Sequence, residues 1–278
     1  MKFLSPAKVN LYLEVLGKRP DGYHEIQTLM QRVDLSDEVE IDLGGRGIRL
    51  VSEGGEVPEG MDNLACRAAR IFCEEFGIQG DLRIRLKKRI PVAAGLGGGS
   101  SNAATVIMGL NELLPAGGDG ERLMALGTKI GADVPFFIFQ KPALARGIGE
   151  KLAPVNLPGP LWFLMLVPPF HISTAWAYQT YDCLAGKKKE PMRIKDSYVE
   201  LADLVPVMKN DLEAAALTRH PEIALMKEEL LAQGAKGALM SGSGPVTFGL
   251  FSTREDAEQT EKAVALPVGW KTIVSRGI

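Results

Sequence analysis

With 278 residues, 46% hydrophobic and 24% charged, the chain has an ordinary globular composition and the length for one large or two modest domains. Its formal net charge of −2 excludes a global attraction to nucleic acid or anionic membrane, so any anion site has to be local. The longest strongly apolar run, Leu161 to Val167, is far too short to span a bilayer, and Met1-Lys2-Phe3-Leu4-Ser5-Pro6 lacks the apolar core of a signal peptide. The three cysteines, Cys66, Cys73 and Cys183, form no CxxC pair and no metal spacing with the three histidines. That usage predicts a reduced, cytoplasmic setting, with Cys66 and Cys73 packed on one helical face.

In chain order, the alternation Val9, Leu11, Leu13, Val15 predicts a first strand over 2–16. Gly17-Lys18-Arg19-Pro20-Asp21-Gly22 predicts a turn, which leads back into a strand over 23–33. Short strands follow at 38–43 and 47–51. Asp62 or Asn63 is placed to cap a helix reaching about Phe76, with Leu64, Ala68, Ile71, Phe72 and Phe76 as its buried stripe. The segment 82–86 alternates apolar and charged residues as a half-exposed strand does. A helix follows the glycine loop, and another over 121–130 ends at Gly131. The Pro/Gly-rich stretch 156–160 is the best domain boundary. Beyond it come a buried strand at 161–167, a helix at 174–184 and an exposed basic connection at Lys187-Lys188-Lys189-Glu190-Pro191. Helices at 212–217 and 222–233 precede strand 237–240, turn 241–244, strand 246–251, helix 254–265 and strand 270–274. Strands alternating with helices in this way predict an α+β layer sandwich.

The most informative stretch is Pro91-Val92-Ala93-Ala94-Gly95-Leu96-Gly97-Gly98-Gly99-Ser100-Ser101-Asn102-Ala103-Ala104. Its glycines let backbone N–H groups approach a bound group, and Ser100, Ser101 and Asn102 are residue types that cap helices. A glycine loop feeding a helix N-terminus is a ready phosphate site. It is not a Walker A loop, because Ser100 and not lysine follows Gly99. Nor is it a dinucleotide fingerprint, because Ser100 stands where that pattern requires a third glycine. The pattern Pro-x-x-x-Gly-Leu-Gly-x-x-Ser-Ser-x-Ala-Ala instead resembles the second motif of the GHMP kinases, the galactokinase, homoserine, mevalonate and phosphomevalonate kinase superfamily.

Four other segments agree with that resemblance. Ser5-Pro6-Ala7-Lys8-Val9-Asn10-Leu11 sets a lysine in an apolar strand, either solvated or functional. Together with Arg19-Pro20-Asp21-Gly22-Tyr23-His24-Glu25 it is similar to the branch of the superfamily that acts on cytidylyl-linked methylerythritol. Gly131-Ala132-Asp133-Val134-Pro135 carries a carboxylate that either caps a turn or does chemistry, and Met240-Ser241-Gly242-Ser243-Gly244-Pro245 is similar to the third superfamily motif.

The resemblance implies an α+β fold of two domains, a ribosomal protein S5-like domain over 1–156 and a ferredoxin-like domain over 157–278. It implies transfer of the γ-phosphoryl of ATP to the 2-hydroxyl of CDP-methylerythritol, in non-mevalonate isoprenoid precursor synthesis. In this family's terms Asp133 is the general base, and Lys8 keeps it ionised and steadies developing charge. Residues Pro91 to Ser101 wrap the phosphates, while Asn63 and Lys88 lie on the adenosine side. Asn10, Tyr23, His24 and Tyr178 belong to the substrate; the two tyrosines sandwich the cytosine and His24 reads its edge. Tyr178 departs from the family, where that place is commonly phenylalanine. Magnesium is expected on the nucleotide, with no dedicated protein metal site. The expected partners are these small molecules, with no nucleic acid and no membrane, for a monomer or weak homodimer. A homoserine- or mevalonate-type kinase, or a non-catalytic ligand-binding member, remains the alternative.

Overall fold

The computed structural model describes residues 1–55, 57–184 and 190–278. The alternating N-terminal segment forms strand β1 (Lys2–Lys18), and the turn after it returns the chain as β2 (His24–Leu43). Next come β3 (Ile48–Glu53), α1 (Leu64–Phe76), β4 (Leu82–Lys87), α2 (Gly98–Leu113), α3 (Gly120–Thr128) and α4 (Val134–Phe139). The chain continues through β5 (Ala143–Gly147), β6 (Lys151–Pro154), β7 (Trp162–Val167), α5 (Thr174–Leu184), α6 (Leu201–Leu204) and β8 (Lys209–Asn210). It finishes with α7 (Glu213–Leu217), α8 (Glu222–Ala232), β9 (Gly237–Met240), β10 (Thr247–Phe251), α9 (Arg254–Ala263) and β11 (Lys271–Arg276). No helix among the described residues is long and apolar enough to cross a membrane.

Two compact units emerge, and neither is a continuous segment. The first comprises Met1–Ala7, Leu35–Val92 and Gly97–Gln140; the second comprises Lys8–Asp34, Ala93–Leu96 and Lys141–Ile278. Strands β1 and β2 therefore contribute residues to both.

In the first unit the end of β2 pairs antiparallel with β4, from Glu38 opposite Lys87 to Leu43 opposite Leu82, and β3 runs parallel to β4. Strand β4 buries Leu82, Ile84 and Leu86 and exposes Arg83, Arg85 and Lys87, as its alternation predicts. Helix α1 starts where Asn63 Oδ1 accepts from Ala65 N at 2.9 Å, and it buries Ala65, Ala68, Phe72 and both of its cysteines. Helix α2 packs against α1 and α4. Phe72, Ile84, Leu110 and Phe136 are fully or almost fully buried, each worth about 1.5–3 kcal/mol of removed apolar surface.

The second unit contains a four-stranded antiparallel sheet in the order β11-β7-β10-β9. Counted along the chain, its strands lie 4-1-3-2, with α5 to α8 between the first and second and α9 between the third and fourth. That is the ferredoxin-like arrangement. Leu164 and Leu166 of β7 pack with Met226 and Leu230 of α8 and with Ala257 of α9. The same unit pairs β5 with β2, from Ile26 opposite Gly147 to Met30 opposite Ala143, and sets β8 parallel to β1 at Tyr12 and Lys209.

Several boundaries differ from the sequence expectation. The strands expected at 23–33 and 38–43 are one strand, because Ser36 and Asp37, which read as a break, are buried, and Asp37 accepts from the Arg89 and Ile90 amides. Helix α2 begins at Gly98 with Gly97 as its cap, so Ser100, Ser101 and Asn102 lie inside its first turns. Helix α3 stops at Thr128, before Gly131. The β5–β6 hairpin and helix α4 were not expected. The basic residues 187–189 lie outside the described residues.

Candidate active site

In the first unit, the glycine loop ends on a helix with a bare N-terminus. Gly97 caps α2 at φ 70° and ψ 16°, a left-handed conformation that glycine adopts without strain, and it has no side chain to accept from the first N–H groups. Those groups, with the helix dipole behind them, face an anion better than they face any capping side chain here. Next to this turn runs the segment leading into α4: a Cβ built on Gly131 would lie 4.0 Å from Ser100 Oγ. Two residues on, half-buried Asp133 occupies the N-cap position of α4 without bonding to that helix's own N–H groups. Both readings of Asp133, as a turn residue before Pro135 and as a chemical group, stay open on this geometry.

Asn63 and Lys88, expected on the adenosine side, are both buried. Asn63 caps α1 and donates through Nδ2 to Pro58 O at 3.0 Å. Lys88 forms an ion pair with Asp37 and donates to Asn102 Oδ1 at 3.2 Å. Asp37, Asn102 and Ser5 are the residues of this half that sequence reasoning missed. Asp37 carried no signal, since an aspartate in a polar stretch reads as a turn.

The second unit holds the remaining loop residues and Lys8. Lys8 is only 3% exposed, which rules out the solvated lysine. Its ammonium donates to Asn10 Oδ1 and, at 3.0 Å, to Gly95 O. Asn10 Nδ2 donates to Thr28 Oγ1 at 2.8 Å, which fixes the amide and so the lysine's acceptor. Gly95 is also held by Ser241 Oγ, which donates to its carbonyl at 3.0 Å. A Cβ on Gly95 would stand 2.1 Å from Ser241 O, so the Gly95 backbone and the 241–244 turn touch directly. Asn210 Nδ2 donates to Met240 O and Gly242 O, both at 2.7 Å, and anchors that turn from β8. Ser241 was visible in the sequence as part of a turn motif; its contact with Gly95, 146 residues away, was not.

The residues expected to meet a cytosine also lie in the second unit. Tyr23 is exposed, at 60% of its surface. His24 stacks on Tyr178 with ring centroids 4.7 Å apart and planes 24° from parallel. The structure therefore brings His24 against Tyr178. Asp182 on α5 takes His24 Nε2 at 2.7 Å and Lys18 Nζ at 2.8 Å. The hydrogen bonds from Lys18 and then His24 hold its carboxyl below the ordinary aspartate value. Tyr178 also packs against the core of Leu13, Val15, Ile172 and Ala177.

Comparison with known proteins points one way. The family model described as GHMP kinases N terminal domain matches residues 63–141, and the one described as GHMP kinases C terminal matches residues 194–267. The chain is 48% identical to a 4-diphosphocytidyl-2-C-methyl-D-erythritol kinase of Geobacter sp. (strain M21), covering 100% of this chain and 99% of that one. It is 46% identical to the protein of the same name from Geobacter metallireducens, covering 99% and 97%. Its structure is similar to the crystal structure of a 4-(cytidine 5'-diphospho)-2C-methyl-D-erythritol kinase, with a TM-score of 0.81 and 35% identity over 100% of both chains. A homoserine kinase from Cytophaga hutchinsonii shares the fold, with a TM-score of 0.74 at 21% identity over 99% and 94% of the chains.

Proposed function

The chain belongs to the GHMP kinases, and within them to the 4-diphosphocytidyl-2-C-methyl-D-erythritol kinases; on that premise we propose that its glycine loop holds ATP while Lys8 and Asp133 serve the acceptor alcohol. The reaction moves the γ-phosphoryl of ATP onto the 2-hydroxyl of 4-diphosphocytidyl-2-C-methyl-D-erythritol, a step of isoprenoid precursor synthesis. The hydroxyl oxygen bonds to the γ-phosphorus as the bridging P–O bond to the β-phosphate breaks, giving the 2-phosphate and ADP. Phosphoryl transfer needs little covalent help, so positioning and charge stabilisation carry the catalysis.

Asp133 takes the proton that the hydroxyl loses. Lys8, held by Asn10 and the Gly95 carbonyl, presents a fixed positive charge to the developing negative charge. The open N-terminus of α2 receives the phosphates, and residues 91–96 continue the wrap. The observation that carries this reading is the uncapped first turn of α2 with the Gly131–Asp133 segment beside it. Among the described residues no three His, Cys, Asp or Glu side chains gather as a metal cage. In this reading a magnesium ion would come on the nucleotide and would offset phosphate charge there. Tyr23, His24 and Tyr178 form the cytosine end of the same reading, and Asn10 stays with the acceptor. The family-model matches at 63–141 and 194–267 lie on either side of the boundary at 156–157, while the compact units themselves interleave across it. In the same reading the chain works in the cytoplasm, as a monomer or weak homodimer.

A coupled assay of ADP release tests the reading, with CDP-methylerythritol offered against homoserine and mevalonate as acceptors. Turnover is expected with the cytidylyl alcohol alone. Asp133→Asn should lower kcat by roughly 10²–10⁴ and leave the KM for ATP nearly unchanged. Near-normal turnover in that variant would remove Asp133 from the chemistry.

A further inference from the structure

Beneath the glycine loop, in the first unit, lies a carboxylate that the proposed chemistry does not use. Asp37 is fully buried in β2, yet four donors converge on it. Its Oδ1 accepts from the backbone N–H of Arg89 at 2.7 Å and of Ile90 at 2.9 Å. Its Oδ2 accepts from Asn102 Nδ2 at 2.9 Å and from Lys88 Nζ. Asn102 Nδ2 also donates to Ser5 Oγ at 2.9 Å, and Ser5 Oγ donates to Ser101 Oγ at 2.8 Å. Residues 88–90 lead into the loop and residues 101–102 lead out of it along α2. One buried carboxylate therefore ties down both ends.

The ammonium it holds is placed with some care. A Cβ built on Gly98 would lie 3.3 Å from Lys88 Nζ and 3.0 Å from Ile90 Cγ2. The first residue of α2 thus rests on a buried cation, and the missing side chain is what lets it. A positive charge at that point reinforces the positive end of the helix dipole, which is where an anion gains from it. Asp37 balances this charge inside the fold and keeps it from swinging into the loop.

We propose that Asp37 is a positioning residue for the nucleotide phosphates: it holds the Lys88 ammonium beneath Gly98 and fixes both ends of the glycine loop, so that the N–H groups of Gly98, Gly99 and Ser100 converge on a phosphate. The proposal rests on the reading that this loop binds ATP. It assigns Lys88 a role below the loop that acts on phosphate, and none toward the adenosine.

Asp37→Asn keeps the size and the acceptor for the Arg89 and Ile90 amides, but it turns a donor toward Lys88 and Asn102. Isothermal titration with ADP and with adenosine, beside a thermal melt of each protein, decides the matter. ADP should bind about tenfold more weakly or worse, as loss of one charged hydrogen bond requires, while adenosine has no phosphate to place and should keep its affinity. Unchanged ADP affinity, or equal loss of ADP and adenosine, overturns the proposal and leaves the ATP-loop reading standing. A wild-type chain that binds no ADP overturns both. Should Asp37→Asn not fold, Lys88→Gln carries the same comparison, since it removes the charge and keeps a donor for Asp37; loss of adenosine together with ADP would there return Lys88 to the adenosine side.

Discussion

Glu14 is a carboxylate inside an apolar strand, and its neighbours decide its charge. Burial by itself would raise its pKa, but hydrogen bonds from Tyr12, from the Met192 N–H at 3.0 Å and from Lys209 at 3.0 Å outweigh burial and hold it below the ordinary value. Burial and then the Glu14 carboxylate push the Tyr12 hydroxyl far above its usual range, so it stays a donor. A carboxyl with a depressed folded pKa adds stability that is present above the unfolded pKa, near 4.3, and is lost as pH falls through the folded value. Urea midpoints measured from pH 7 to pH 3 should therefore fall on the acid side in the wild type. In Glu14→Gln that fall should be shallower, with neutral-pH stability lower by about 1.5–3 kcal/mol for the lost charged hydrogen bonds. An acid limb of unchanged steepness would show that other carboxylates carry it. The same bonds have a positional effect: Gln27 Nε2 donates to Met192 O at 2.8 Å, so Glu14 and Gln27 together hold that residue against β1 and β2.

At the scale of elements, the contact of the loop with the 241–244 turn sets the tightest tolerance. Gly95 has φ +78° and its missing Cβ would meet a backbone oxygen at 2.1 Å, which no rotamer can relieve. Gly95→Ala should cost well over ~1 kcal/mol, since overpacking adds to the positive-φ penalty. A melting temperature within a degree of wild type would contradict the contact. Glycine spacing alone makes this loop legible, as apolar stripes do for α1 and alternation does for β4. What stayed hidden has a physical reason in each case. The polar middle of β2 reads as a break because nothing local shows that Asp37 will find four donors between 50 and 65 residues away. Helix α2 starts earlier than its best cap residues because Gly97 takes the left-handed cap position ahead of them. The β5–β6 hairpin is short and turns through Gly147-Ile148-Gly149-Glu150, too little periodicity to separate from loop. The motifs singled out Lys8 and Asp133 as the proposed catalytic pair; Asn210, Thr28 and Asp182 matter only through contacts that sequence spacing does not carry.

For the whole molecule, the interleaved course of the chain is the dominant fact. Residues 8–34 belong to the second unit, where β1 pairs with β8, β2 pairs with β5, and Val33 bridges Gly277. A fragment of residues 157–278 keeps the ferredoxin-like sheet but lacks the strands that cover Leu212, Ala216 and Ile223. It should lose the cooperative urea transition of the full chain. A sharp, wild-type-like transition in 157–278 would contradict this account. The interleaving also orders events at the ribosome. Every residue of the first unit has been synthesised by Gln140, whereas Gln31 must wait for Ile278, 247 positions later, for the carbonyl that accepts from its Nε2. At about 5–20 residues per second, β5 follows Gln140 almost at once, but β8 comes roughly 4–14 seconds after it and Ile278 roughly 7–28 seconds after it, so β1 waits for its outer neighbour. An apolar strand such as β1, left waiting that long, is a natural client for chaperones, and slow translation would lengthen its exposure.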